Sequence, residues 1–293
     1  MKRVIRTMLQ SLKKYRLELV FILPMTLYIF GFTLLPIFKT IMLGFQDNLT
    51  GEWTLKVYES VFQKPDFVRA IVNTVGVTII GLTIQMSIGL LVAMVLKQTF
   101  KGKGLIRSLV LMPMGIPTLV SGVTLLYVFG TQGYLNELLY RLGLVTVPVN
   151  WTSGSIRSLF VIAFADTWKV LPVVVLLLLA GLESISKEVY EAGGMDGATK
   201  WQIFRHVTLP ILKPTITMTV LLRAIDQFRI FELPQILVGK AVPFLATYAY
   251  EEYAYNNLSA SGAASTILLI LIVLFVTVYL KYVDKGEGFG HGR

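Results

Sequence analysis

Cysteine is absent from the 293 residues, and histidine occurs twice, at His206 and His291. The first absence excludes a disulfide framework, a thiolate nucleophile and any cysteine-ligated zinc or iron–sulfur centre. The second leaves too few imidazoles for a histidine metal site or a catalytic triad. Charge is also scarce, since 15% of residues are Asp, Glu, Lys or Arg against roughly 25% in soluble domains. No G-x-x-x-x-G-K-[ST] phosphate loop occurs in the chain, so it carries no P-loop site for hydrolysing ATP.

What is present is apolar. Hydrophobic residues make up 55% of the chain and the mean hydropathy is +0.69. The charge-free stretches Ala70–Leu96 and Ser108–Asn136 each exceed the ~20 residues that cross a bilayer core. Six apolar segments are predicted to span, at about 17–38, 70–96, 108–130, 156–182, 211–238 and 262–283. The first follows a basic arm as a secretory signal would, but it runs too long and lacks a small-x-small cleavage site, so a retained helix is expected.

The net charge of +10 does not point to nucleic acid, because the basic residues sit beside apolar spans and not along a soluble face. They crowd the N-terminal arm (Lys2, Arg3, Arg6, Lys13, Lys14, Arg16), residues 97–107, residues 183–213 and the tail, and thin out in the loops between. By the positive-inside rule this alternation places both termini in the cytoplasm. The expectation is an all-α integral membrane protein with six transmembrane helices in one transmembrane domain. The opposite segments, about 46–69, 131–155 and 239–261, are too short for a separate domain. The glycine-alternating tail Gly286–Arg293 reads as flexible.

The most informative segment is the loop 183–210. Leu182, Ile185 and Val189 recur at helical spacing, glycines interrupt at Gly193, Gly194 and Gly197, and Trp201, Phe204 and Thr208 resume the pattern before Pro210. The spacing predicts helix, turn and helix lying along the membrane surface. As a pattern it is also that of an interfacial hairpin which merely joins two spans.

The residues in it are more specific than the pattern. Glu191-Ala192-x-x-x-Asp196-Gly197-Ala198, then Phe204 and Thr208-Leu209-Pro210, resemble the cytoplasmic "EAA" loop of binding-protein-dependent ABC importer permeases. Gly193 stands where that family usually has a second alanine. The resemblance covers nearly the whole chain. Lys101-Gly102-Lys103-Gly104 with Arg107, Leu111-Met112-Pro113 with Pro117, Ala165-Asp166-x-Trp168-Lys169 with Pro172, and Ile225-Asp226-x-Phe228-Arg229-x-Phe231 are similar to the maltose and multiple-sugar branch. Val238-Gly239-Lys240-Ala241-Val242-Pro243 departs from that branch's Thr-Gly-Gly-Gly-Pro turn.

The resemblance implies a type I ABC importer permease fold in the cytoplasmic membrane and the import of a sugar or oligosaccharide by alternating access. The chain would be non-catalytic and bind no cofactor. Its partners would be a second permease subunit of different sequence, two copies of a cytoplasmic ATPase carrying ATP and Mg, and an extracytoplasmic substrate-binding protein. Glu191, Ala192, Gly193, Asp196, Gly197 and Ala198 would form the coupling helix that docks on the ATPase.

Charges inside the predicted spans need partners, because each costs roughly 2.5–3.5 kcal/mol at the centre of an isolated helix. Asp166 and Lys169 fall in the fourth span, and Arg223, Asp226, Arg229 and Glu232 fall at i,i+3 steps in the fifth. On one continuous helix that row winds halfway around the axis, so the four are expected to pair among themselves and not to line one pore face. Trp168 and Gln227 are the candidates for the substrate path, an aromatic face and an amide for an uncharged sugar. Pro113 and Pro117 are expected to kink or break the third span, as a gate or as a fixed kink. An ion-coupled transporter or channel using Asp166 and Asp226 is the alternative. A membrane hydrolase would need a nucleophile–base pair, which the sequence does not show.

Overall fold

The structure is a computed structural model that describes residues 15–284. The basic arm before Tyr15 and the glycine tail Gly286–Arg293 lie outside the described residues. Among the described residues the regular elements are helices, with one isolated antiparallel bridge between Gln46 and Trp53. In chain order they are α1 (Arg16–Leu43), α2 (Lys56–Phe62), α3 (Pro65–Lys97), α4 (Lys103–Leu111), α5 (Thr118–Phe129), α6 (Tyr134–Arg141), α7 (Ile156–Glu183), α8 (Lys187–Met195), α9 (Lys200–Phe228), α10 (Glu232–Leu237), α11 (Leu245–Ala254) and α12 (Leu258–Val283). Five of them, α1, α3, α7, α9 and α12, are long and apolar enough to cross a membrane.

The centre of the molecule is α3 against α7, with α9 lying across both. α3 starts with Pro65 in its first turn beside Asp66 and ends with Lys97, the arrangement that suits a helix's N- and C-terminal partial charges. Its buried positions Ala70, Thr74, Val77, Gly81, Gln85, Gly89 and Ala93 recur every three or four residues and form one stripe. Several are small, as suits helices packed in lipid, where close backbone approach replaces the hydrophobic drive that water would supply. A methyl group at Gly89 would come within 2.5 Å of Val174 Cγ1, so any side chain there would push α3 off α7. Ala93 and Leu96 pack with Val174, Leu178, Leu182 and Leu212 at one end of this bundle. Val77, Ile162, Leu233 and Phe244 pack at the other. A satellite core joins α2, the start of α3, α11 and α12, while the apolar stretch of α1 buries none of its residues against the rest of the chain.

The count reaches six when the bent pair Lys103–Gly115 and Thr118–Arg141 is taken as one broken span, and two of the predicted segments are corrected in their continuity. The segment 108–130 is not one helix: a 3-10 turn, Met112–Gly115, separates α4 from α5, and the two arms are bent by 100°. Pro113 has no N–H to give the ladder, and Pro117 forces Ile116 into extended backbone at ψ 128°. Within the turn Pro113 O accepts the Ile116 N–H at 3.2 Å, and the ammonium of Lys169 on α7 donates both to the same oxygen at 3.2 Å and to Ile116 O. The segment 211–238 is also not one helix. Its helix begins earlier, at Lys200, and stops at Phe228. Pro234 in the first turn of α10 would clash with the Ile230 carbonyl of a continuous helix, so the chain turns at 229–231 before α10 begins.

Candidate functional site

The loop helix α8 stands apart from the bundle. Its last residues are Ala192, Gly193, Gly194 and Met195, with Asp196 as the C-cap. Gly197 follows at φ +73°, the left-handed conformation that a side chain disfavours. Its N–H donates to Gly194 O at 3.1 Å and the Ala198 N–H donates to Gly193 O at 3.0 Å. This pair of bonds is the Schellman closure of a helix C-terminus. One residue later Thr199 opens α9 with a capping box: the Gln202 N–H donates to Thr199 Oγ1 at 3.3 Å, and the Thr199 N–H donates to Gln202 Oε1 at 2.7 Å. The sharp turn between α8 and α9 is therefore fixed by backbone chemistry at both sides.

The surface this produces is open. Glu191, Ala192, Asp196 and Gly197 are exposed, and Gly193 and Ala198 are partly so. Met195, which the sequence pattern did not single out, is 85% exposed. The signal for it was an apolar residue inside a run of polar and small ones. The expectation of two surface helices is corrected, since only α8 is separate. From Lys200 the chain runs through a π-turn, Phe204–Thr208, into the spanning part of α9. The wider turn precedes Pro210, whose missing N–H interrupts the α ladder.

The second candidate region is a cavity of about 530 Å³ between α5, α7, α9 and α10. Arg223 holds its floor together. Its Nη2 donates to Asp166 Oδ2 at 3.3 Å, its Nη1 to Asp226 Oδ2 at 3.1 Å and its Nε to Gln85 Oε1 at 3.2 Å. Gln85 Nε2 donates both to Asp166 Oδ2 at 2.9 Å and to Gln227 Oε1 at 3.0 Å. Asp226 accepts a further bond from Arg229 Nη2 at 2.9 Å. The network grades from buried to open: the Arg223 side chain is 8% exposed and that of Asp226 is 52%.

Several expected site residues lie elsewhere than the sequence suggested. Lys169 is not part of the charge ladder, because the break in the third span consumes it. Glu232 makes no ion pair among the described residues. Arg223, Asp226, Arg229 and Glu232 do line one cavity, since α9 ends before Arg229 and the turn brings Arg229 and Glu232 back over the same opening. Gln227 is 1% exposed and accepts from Gln85 on α3, so it offers no surface to the cavity, and its Nε2 has no hydrogen-bond partner among the described residues. Trp168 is half-buried and packs against the core cluster that contains Val77, Ile162 and Leu233. Gln85 was missed altogether. Its signal was a lone amide in a long charge-free stretch, which must find partners when buried.

The other end of the molecule carries a second polar cluster. Lys64 Nζ lies 2.7 Å from Glu252 Oε1, and Asn257 Nδ2 donates to Glu252 Oε2 at 2.6 Å. Burial alone would raise the Glu252 carboxyl. Hydrogen bonds from Lys64 and Asn257, the nearby Tyr248 hydroxyl and the lysine's charge outweigh it and hold the group below its ordinary value of 4.5. Burial, followed by the neighbouring Glu252 carboxylate, pushes the Tyr248 hydroxyl upward.

A polar loop helix with a fixed turn at one end of a bundle of membrane-length helices, and a charged cavity inside it, describe a membrane transport component. The chain belongs to the family of binding-protein-dependent transport system inner membrane components, whose model matches residues 85–287. It is accordingly a multi-pass inner-membrane permease subunit of an ABC importer. Among its relatives is the trehalose/maltose transport system permease protein MalF of Thermococcus litoralis, 33% identical over 93% of this chain and 96% of that one. The arabinooligosaccharides transport system permease protein AraP of Bacillus subtilis is 31% identical over 92% of this chain and 89% of its own. The fold matches a bacterial ABC transporter involved in the import of the acidic polysaccharide alginate, with a TM-score of 0.78 at 20% identity, covering 95% of this chain and 98% of that one.

Proposed function

We infer that this chain is the permease subunit of an importer for a neutral sugar or oligosaccharide, working by alternating access. The observation that carries the reading is the identity with permeases named for trehalose, maltose and arabinooligosaccharides over nearly the full length of each chain. The cavity chemistry supports it. Of its five charged lining residues, Asp166, Asp226 and Glu232 are acids against Arg223 and Arg229, so it has no excess of cations to collect an acidic saccharide.

In this reading both termini and α8 face the cytoplasm. α8 docks on one copy of a separate ATPase subunit, a second permease subunit faces the cavity, and an extracytoplasmic binding protein delivers the sugar to the opposite end. ATP and Mg belong to the ATPase, and this chain binds no cofactor. Closure of the ATPase pair moves α8, and α9 carries the movement to the cavity because the capping box joins the α8 turn directly to that helix. The substrate path runs past the Asp226–Arg229 face of the cavity, with Trp168 and Gln227 supporting it from behind.

The test is ATP hydrolysis by the reconstituted complex with its binding protein across a saccharide panel. Stimulation by one or more neutral sugars, and none by uronic acid oligomers, is expected. Stimulation by the acidic oligomers alone would overturn the substrate class.

A further inference from the structure

We propose that the cavity beneath α8 is a binding site for the headgroup of an anionic phospholipid. The cavity is about 700 Å³ and lies between the ends of α3 and α7, α8 and the start of α9. Its wall is of two kinds. Met94, Leu182, Ile203 and Phe204 give an apolar part, and Lys97, Lys187 and Lys200 add three basic side chains, with no carboxylate in the lining.

These cations lack acidic partners. None of the three lysines forms an ion pair among the described residues, and the acid nearest in sequence, Glu188, is engaged by its own backbone N–H and then by Ser186, which hold its carboxyl below the usual value. Lys97 Nζ donates to Tyr190 Oη at 2.9 Å and sits 4.1 Å from the centre of its ring. That uses one of the ammonium's donors and leaves others, and the tyrosine's own O–H, with no acceptor among the described residues, is available to a ligand. A phosphate oxygen is the acceptor such a set fits.

The apolar part of the lining favours a lipid over a free ion. A phosphodiester between the lysines would lay its glycerol and acyl chains on Ile203, Phe204 and Met94, which a dissolved phosphate would leave bare. The level is also that of the membrane surface. The cavity sits where two spanning helices end, and Trp201, 65% exposed and against Phe204 at 5.5 Å between ring centres, is placed as an interfacial anchor. Basic pockets between spanning helices bind acidic headgroups in this way.

The test uses the whole transporter reconstituted in phosphatidylcholine vesicles, with trace phosphatidylglycerol or phosphatidylcholine bearing a photoactivatable acyl chain. Phosphatidylglycerol should label the peptides containing Met94 and Ile203–Phe204, and phosphatidylcholine should not. In Lys187→Gln/Lys200→Gln, both exposed positions, half-saturation should rise by about fivefold for each lysine removed, whereas Lys56→Gln/Arg69→Gln at the other end should leave it unchanged. Equal labelling by both lipids, or unchanged labelling in the lysine variant, would overturn the site. So would competition by inorganic phosphate, which would mark a free-anion site. Loss of the ATPase subunit from the lysine variant with lipid labelling intact would assign those lysines to the protein interface instead.

Discussion

The ammonium of Lys169, on α7, lies 3.2 Å from the carbonyl oxygen of Pro113 and also meets that of Ile116, both in the break between α4 and α5. One side chain thus bridges two carbonyls of the break: Pro113 O, which also accepts the Ile116 N–H, and Ile116 O, which the interrupted helix leaves outside the backbone ladder. Lys169→Met should therefore lower stability by roughly 1–3 kcal/mol, the usual cost of a buried polar group left unsatisfied. Thermal unfolding of the purified complex in detergent reads this, and a wild-type midpoint would show that the break is held by other means.

The two halves of the charged network should respond differently. Asp166→Leu leaves the buried Arg223 without its main buried carboxylate and should cost about 3–5 kcal/mol, with much of the loss recovered in Asp166→Leu/Arg223→Met. The Asp226–Arg229 pair, with side chains 52% and 60% exposed, should contribute at most about 1 kcal/mol. Yield and thermal stability of these two variants, and of Asp226→Asn and Arg229→Gln, separate the cases. A double variant no better than Asp166→Leu would argue against pairing.

Gly197→Val places a β-branched residue at φ +73° and should open the turn between α8 and α9. Met195→Glu keeps the backbone but changes the most exposed apolar side chain of the loop. Both variants should insert normally and lose uptake together with copurification of the ATPase subunit. Normal uptake in both would remove α8 from coupling.

Acid should loosen the end where α2 meets α11. The Glu252 carboxyl is held below 4.5 in the folded chain, so its stabilising contribution is present above that value. It is lost as the pH falls through the lower folded value. Lys64→Met should flatten this acid dependence below pH 4.5 while the variant remains less stable at neutral pH. An unchanged slope of unfolding midpoint against pH would contradict the assignment.

A chain without cysteine lends itself to single-cysteine topology mapping. Gly194→Cys in α8 should react with an impermeant maleimide only from the cytoplasmic side, and Ser153→Cys, at the other end of α7, only from outside. Labelling of both from one side would refute the orientation.

The class of the protein was legible in the sequence for simple physical reasons. Membrane-length apolar runs such as Ala70–Leu96 need no tertiary information to be recognised, because a backbone in lipid must satisfy its own hydrogen bonds within a helix. The loop residues Glu191–Ala198 likewise carry their turn locally, since a Schellman closure involves neighbours only and Gly197 supplies its conformation. The places where long helices stop, and which side chains meet across them, were decided by tertiary structure. Pro113 and Pro117 announced a disturbance, but a lysine on another helix makes a full break tolerable. Arg229 and Glu232 looked wound around one helix until the chain turned at 229–231 and folded them over the same cavity as Arg223. Gln85 and Gln227 are single amides in apolar or mixed stretches, and their value lies in bonds that join α3, α7 and α9, residues far apart in the chain. Spacing along one helix cannot encode such contacts, because they depend on where the other two helices lie.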